Sequence, residues 1–118
     1  MVGFNRRYAP HVVKAKQLLS RQSSPVSMVM TVNAGFIPAD HWVHDPVVGG
    51  GRIIGEACHF IDLLRHLADA PIESVNAIAM DGQCQDSVSV QLRFANGSIG
   101  VVNYLANGSK SLSKERLE

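Results

Sequence analysis

The 118 residues are 46% apolar and 18% charged with a formal net charge of +1, the balance of an ordinary folded domain and not of a disordered tail or a polyanion-binding surface. That length accommodates one module with a real core and is short for an enzyme of two domains. No segment approaches the ~20 consecutive apolar residues of a membrane span, and the opening MVGFNRRYAP has no apolar stretch ahead of its charges, so no secretory signal is read and the cytoplasm is the expected compartment. In that setting Cys58 and Cys84 are expected to stay reduced.

In chain order, the short apolar run Val2–Phe4 passes into polar Asn5–Tyr8 and reads as the end of a larger element. From Pro10 to about Arg21, Val12, Val13, Ala15, Leu18 and Leu19 recur at helical spacing, with Pro10 in the first turn, where its missing N–H costs nothing. Val26, Met28, Met30, Val32 and Ala34 then alternate, which predicts a strand of about nine residues. Residues 36–50 hold Pro38, Pro46 and glycines and fit neither period, so they read as a long loop, a kind that is functional or disordered in most compact domains. A second helix is predicted from Gly51 to Asp69. The next segment proposes Ile72, Val75, Ala77 and Ala79 for burial. Ser87 to Phe94 alternates cleanly, with Val88, Val90, Leu92 and Phe94 on one face, and Asn96-Gly97 returns it into Ile99–Leu105 as a hairpin. Asn96 and Asn107 both stand in Asn-Gly-Ser, a glycosylation pattern, but Asn-Gly is also the strongest turn dipeptide and both are read as turns. The tail after Asn107-Gly108 can begin one more strand. This order predicts an α+β fold, an open, mostly antiparallel sheet with helices packed on one face.

The chemistry concentrates in GGGRIIGEACHFIDLLRHL. Gly49, Gly50, Gly51 and Gly55 miss the spacing of a dinucleotide fingerprint, a loop and not a strand precedes them, and no Lys-Ser/Thr pair follows, so a phosphate cradle is not expected. At 100° per residue the helix collects Arg52, Gly55, Glu56, His59, Asp62, His66 and Asp69 in one arc broken by Leu63, opposite Ile53, Ile54, Ala57, Phe60, Ile61, Leu64 and Leu67. Such an arc is commonly a solvated face. Glu56 and His59 stand at i,i+3, however, as do His59 and Asp62, and a carboxylate at that distance can orient an imidazole or share its proton. Trp42, His41, His44 and Asp45 lie in the loop beside them. A metal reading of Glu56-x-x-His59 with His41, His44 and Asp45 is the chemical alternative, but the carboxylate-histidine helix motif works in pairs and only one copy exists; no metal is expected.

Taken together, GFNRRYAP, a strand ending in Asn33-Ala-Gly, Trp42…Asp45-Pro46…Gly49-Gly-Gly…His59-x-x-Asp62 and FANGSIGVVNYLANGS resemble the C-terminal domain of the Gfo/Idh/MocA family of NAD(P)-dependent oxidoreductases over nearly the whole chain. The resemblance implies a two-domain parent: a Rossmann domain that binds NAD or NADP and supplies a catalytic lysine, followed by an α+β domain with substrate contacts and the oligomer interface. Residues 1–9 would then be the remnant of the last Rossmann strand and the crossover, and residues 10–118 the C-terminal domain, truncated at its end. No Glu-Lys-Pro motif or Rossmann fingerprint is present, so no cofactor is expected in this fragment and it is expected to be inactive alone. His59 falls on the family's acid/base histidine, acting on a sugar or cyclic polyol hydroxyl. Many members place an aspartate four residues earlier, where Gly55 stands here, and Glu56 is expected to substitute for it as a second catalytic residue. Asp62 matches the family's second acidic position and, with Asn33, Trp42 and Arg52, is assigned to substrate binding or its support. Arg6 and Arg7 are assigned to the cofactor side. The expected partners are a sugar or polyol, the Rossmann domain and further copies of the chain; an assembly module with no chemistry of its own is the competing reading.

Overall fold

A computed structural model describes residues 3–82 and 86–118; Val2 of the opening run and Cys84 lie outside them. A 3-10 turn at Asn5–Tyr8 precedes helix α1 (Pro10–Leu19). Strand β1 (Ser27–Asn33), the loop with its 3-10 turn Trp42–His44, a π-turn at Ile53–Ala57 and helix α2 (Cys58–Ala68) follow, and then β2 (Ile72–Ala79), β3 (Val88–Phe94), β4 (Ile99–Leu105) and β5 (Glu115–Leu117). The sheet order is β2-β3-β4-β1-β5. Only the β1–β4 pair is parallel, joining Ser27 to Ile99 through Asn33 to Leu105; the other pairs are antiparallel. This is the α+β architecture expected from the sequence, with both helices on one face.

Alternation places the core. Met28, Met30 and Val32 of β1, Val88, Val90, Leu92 and Phe94 of β3, and Val102 and Tyr104 of β4 point to the helix side and are buried. Phe60, Leu63, Leu64 and Leu67 of α2 cover them. Each such side chain contributes roughly 1.5–3 kcal/mol on burial. Gly100 interrupts the apolar row of β4 because α2 presses there: a Cβ at that position would stand 2.9 Å from a methyl of Leu64. The helix ends at Asp69 in the left-handed region (φ 57°). Lys16 of α1 binds the Asp69 carboxylate at 2.9 Å and the His66 carbonyl at 2.6 Å, placing positive charge at the negative helix end.

Three expectations change and one holds. The β1 alternation holds, but pairing ends at Asn33, so the strand is seven residues long. Val75, Ala77 and Ala79 share the helix-side face of β2 yet are exposed, because β2 is an edge strand and α2 packs on β1 and β4 instead. The Asn96-Gly97 turn forms as read, with Gly97 at φ +84° and the Asn96 side chain accepting the Ser98 N–H. Asn107-Gly108 makes no hairpin: β5 pairs with β1 and not with β4, so this dipeptide lies in the connection that carries the chain past β1.

Candidate functional site

The helix predicted from Gly51 does not begin as an α-helix. Its first turn, Ile53–Ala57, is π, and the Cys58 N–H reaches back five residues to the Ile53 carbonyl. A π-turn adds a residue to the turn, so a 100° wheel misplaces what lies inside it, and such turns recur at functional sites. Ile54, assigned to the apolar arc, is 74% exposed, whereas Arg52 and Asp62 of the polar arc are 2% and 8% exposed. The arc is therefore not a solvated face.

The glycines shape the loop that launches this turn. A Cβ on Gly49 would fall 2.4 Å from the Val43 carbonyl oxygen, so only glycine lets the loop close on the Trp42–His44 turn. Gly50 and Gly51 take φ of +68° and +81°. The Gly49 and Gly50 N–H groups both donate to the Asp45 carbonyl, and that of Gly51 to the Val43 carbonyl, at 2.8–2.9 Å. With these donors already spent, the run does not fit a pyrophosphate.

Arg52 and Glu56 are brought together, and with them a residue the sequence reading missed. Arg52 donates to the Gly35 carbonyl at 2.6 Å, the Ala34 carbonyl at 3.2 Å and both Glu56 carboxylate oxygens, at 3.2 and 3.4 Å. The buried Tyr104 hydroxyl donates to Glu56 Oε2 at 2.8 Å, and the Arg52 guanidinium lies 5.4 Å from the Tyr104 ring centre. Partial burial raises the Glu56 pKa, but the hydrogen bonds from Arg52 and Tyr104 and the charges of Arg52 and Lys114 outweigh it and hold the carboxyl below its ordinary range. Burial, followed by the bond to Glu56, pushes the Tyr104 phenol far up. The signal for Tyr104 was available: it is the one hydroxyl-bearing residue in the buried Gly100, Val102, Tyr104 row of β4, and a buried phenol needs a partner.

His59 sits one turn on, half-buried, with its ring edge-on to Phe4 at 5.5 Å between centroids. Its Nδ1 is buried and has no hydrogen-bond partner. No hydrogen bond links it to Glu56, whose oxygens face Arg52 and Tyr104. Asp62, below His59, takes a two-pronged bond from Arg7: Nε to Oδ2 at 2.7 Å and the second prong to Oδ1. That bond raises the Arg7 pKa. Arg6 binds Glu115 at 2.6 Å and lies 4.2 Å from the Phe60 ring centre. Both arginines assigned to the cofactor side thus tie the N-terminal turn to α2 and β5, and in doing so hold Phe4 against His59.

The remaining assigned residues stand apart. Trp42 is 62% exposed beside His41. Asn33, at the end of β1, donates to the Ser109 carbonyl at 2.6 Å and lies so close to Gly108 that a side chain there would overlap it. Of the residues in the metal alternative, His41 accepts the Val43 N–H, His44 faces Asp86 at 3.5 Å, and the Asp45 carboxylate accepts the Val47 and Val48 N–H groups. Among the described residues no three His, Cys, Asp or Glu side chains converge as a metal site would require. The arrangement offers a half-buried imidazole one turn from a carboxylate that Arg52 and Tyr104 hold fixed; with Nδ1 buried, its exchange with a ligand falls to Nε2.

A family model described as the GFO/IDH/MocA C-terminal domain matches residues 12–113. Levoglucosan dehydrogenase in complex with NADH and L-sorbose has the same fold with a TM-score of 0.82 at 27% identity, covering 100% of this chain and 36% of that one. The same enzyme with NADH and levoglucosan gives 0.82 at 26% identity, with 100% and 37% covered. A myo-inositol dehydrogenase from Corynebacterium glutamicum ATCC 13032 gives 0.78 at 22% identity, with 99% and 37% covered, a likeness of fold alone. The chain spans about a third of the length of these structures. No curated protein matches it.

Proposed function

The chain belongs to the GFO/IDH/MocA family through its C-terminal domain, and from that premise we propose that it is the substrate-binding and assembly half of an NAD(P)-dependent dehydrogenase acting on a sugar or cyclic polyol hydroxyl. A Rossmann domain joined to it holds the dinucleotide and supplies the hydride chemistry, because the glycine run of this chain has no N–H groups left for a pyrophosphate. His59 is the acid/base group. The observation that carries this is its setting: a half-buried imidazole at the junction of the π-turn and α2, braced by Phe4, whose Nδ1 is closed off inside the protein and whose other ring nitrogen, Nε2, is the one left for a ligand. A hydroxyl within about 3 Å of such a ring can pass it a proton as its carbon is oxidised.

Glu56 and Arg52 support the site. Glu56, anionic and bonded on both oxygens, orients the π-turn and presents a fixed negative charge, and Asp62 holds the α2 side of the site through Arg7. Trp42, exposed in the loop, is the candidate for sugar contact, whereas the Asn33 amide is already bound to the Ser109 carbonyl. Assembly has its own support in the face of the sheet opposite the helices, which leaves Ile99 half-exposed.

The test uses the enzyme with its nucleotide domain. His59→Asn is expected to lower kcat by roughly 10²–10⁴ and to flatten the limb of the pH–rate profile that reports the base, with NADH binding unchanged in calorimetry. Turnover at the parental rate would remove His59 from the reaction. Dinucleotide binding by this chain alone would overturn the division between the domains.

A further inference from the structure

Next to the candidate site, and sharing no residue with it, lies a cavity of about 380 Å³. Phe36–Ala39 form one wall, directly after the Ala34 and Gly35 carbonyls that hold Arg52, and Met80 and Ala106 continue the apolar lining. Among the described residues the lining carries a single charge, Asp86. That side chain is 9% exposed, and no described residue donates a hydrogen bond to its carboxylate. His44 comes to 3.5 Å through Nδ1, past the roughly 2.7–3.2 Å of a good hydrogen bond, and its own Nε2 is buried without a partner. The other polar groups of the cavity are spoken for: the Ser87 hydroxyl accepts the Ala106 N–H at 2.9 Å, and the Asn107 amide meets the Met80 sulfur at 3.7 Å. A buried carboxylate is left with open lone pairs beside a mostly apolar space, which is costly unless a donor fills it.

We propose that this cavity binds a small primary amine, an ammonium group on an apolar body, with Asp86 taking the charge. The lining selects that chemistry. An ionised carboxylate only accepts, so the ligand must bring N–H or O–H donors, and an anion would be repelled. A saccharide brings several hydroxyls to a space with one uncommitted acceptor, and the rest would be buried unpaired. An ammonium gathers its donors and its charge in one group and leaves the remainder of the ligand to Phe36, Ile37, Pro38 and Met80. Phe36, 74% exposed, also offers a ring face to which a cation is attracted. Neither His59 nor Glu56 lines the cavity, so the inference stands apart from the proposed reaction.

Benzylammonium is the probe, with benzyl alcohol and benzoate as its neutral and anionic counterparts. Titration of this chain followed by amide NMR is expected to give saturable shifts at Ser87, Ala106 and Asn107 with benzylammonium at millimolar concentrations or below. Benzyl alcohol should bind roughly tenfold more weakly, or worse, and benzoate should leave those signals unmoved. Asp86→Asn, which keeps the side-chain shape, should weaken benzylammonium by roughly tenfold or more and leave benzyl alcohol as it was. Equal affinity for the ammonium and the alcohol, or no saturation with either, would overturn the proposal. Tighter binding of N-acetyl-lysine methylamide than of benzylammonium would assign the cavity to a lysine of another protein and refute the free amine. Should Asp86→Asn fail to fold, Phe36→Ala, at an exposed position, decides: affinity for benzylammonium is expected to fall about threefold, and an unchanged affinity would place the amine outside this cavity.

Discussion

Replacing Tyr104 by phenylalanine removes one oxygen from a fully buried ring and leaves the packing unchanged, so it isolates a single bond. The lost bond is the shortest that Glu56 receives, 2.8 Å against 3.2 and 3.4 Å from Arg52. A hydrogen bond to a charged group contributes roughly 1.5–3 kcal/mol. Glu56 keeps about a third of its side chain in contact with water, which can refill the vacated position, so the expected loss is about 1–2 kcal/mol at pH 7. The pH dependence follows from sign. The carboxyl pKa is depressed in the folded chain, so its contribution is full above the unfolded value, near 4.5, and disappears as pH falls through the folded value. The gap between parent and Tyr104→Phe should therefore be widest at neutral pH and close as the solution is acidified below about pH 4. Urea unfolding at pH 7 and at pH 3, with the slope unchanged between variants, measures both ends. A difference under about 0.5 kcal/mol at pH 7 would refute the bond. An equal difference at both pH values would show that the Tyr104 hydroxyl acts independently of the carboxylate's charge.

Two further predictions concern the glycines and the N-terminal turn. Gly49→Ala pushes a methyl into the Trp42 and Val43 carbonyls and should cost about 1–3 kcal/mol, read as a lower Tm; Gly55→Ala, whose new methyl meets nothing closer than the Gly49 carbonyl oxygen at 3.8 Å, should be neutral or slightly stabilising. Asp62→Asn breaks the two-pronged bond to Arg7, and with Asp62 buried and Arg7 about a third exposed the loss should be about 2 kcal/mol. Its signature is faster amide exchange at Asn5–Tyr8, and unaltered exchange there would show that Asp62 does not hold that turn.

Much of this fold was legible because two periods are strong here. The alternation in β1, β3 and β4 and the 3.6-residue repeat of α2 each report one buried face, and the structure buries those faces. Burial in β2 was misjudged because its alternation resembles that of a half-covered strand; whether a helix reaches an edge depends on sheet order, which local sequence does not encode. The wheel through Arg52 to Glu56 misplaced Ile54 for a related reason, since a π-turn leaves no simple mark in composition. At the candidate site, spacing put His59 and its acidic neighbours on one face of the helix. What spacing could not say is which way each carboxylate turns. Glu56 looks along the sequence toward His59 but is captured from behind by Tyr104, a residue 48 positions away, while Arg7, read as facing a nucleotide, is satisfied by Asp62, 55 positions on.

The position of β1 in the sheet also governs how the chain acquires its shape. β1 lies between β4 and β5, so its first partner, Ile99, comes 72 residues after Ser27, and no neighbour in sequence pairs with it. The β3–β4 hairpin can close locally in microseconds, whereas β1 waits for a loop of that length to shut. On a ribosome the backbone edge of β1 therefore emerges well before β4, the strand that pairs with it, while α2 follows sooner to cover the apolar side of Met28, Met30 and Val32. Loop closure over that separation makes the docking of β1 the step expected to be slow, and an unpaired strand edge is the kind of surface that aggregates while it waits.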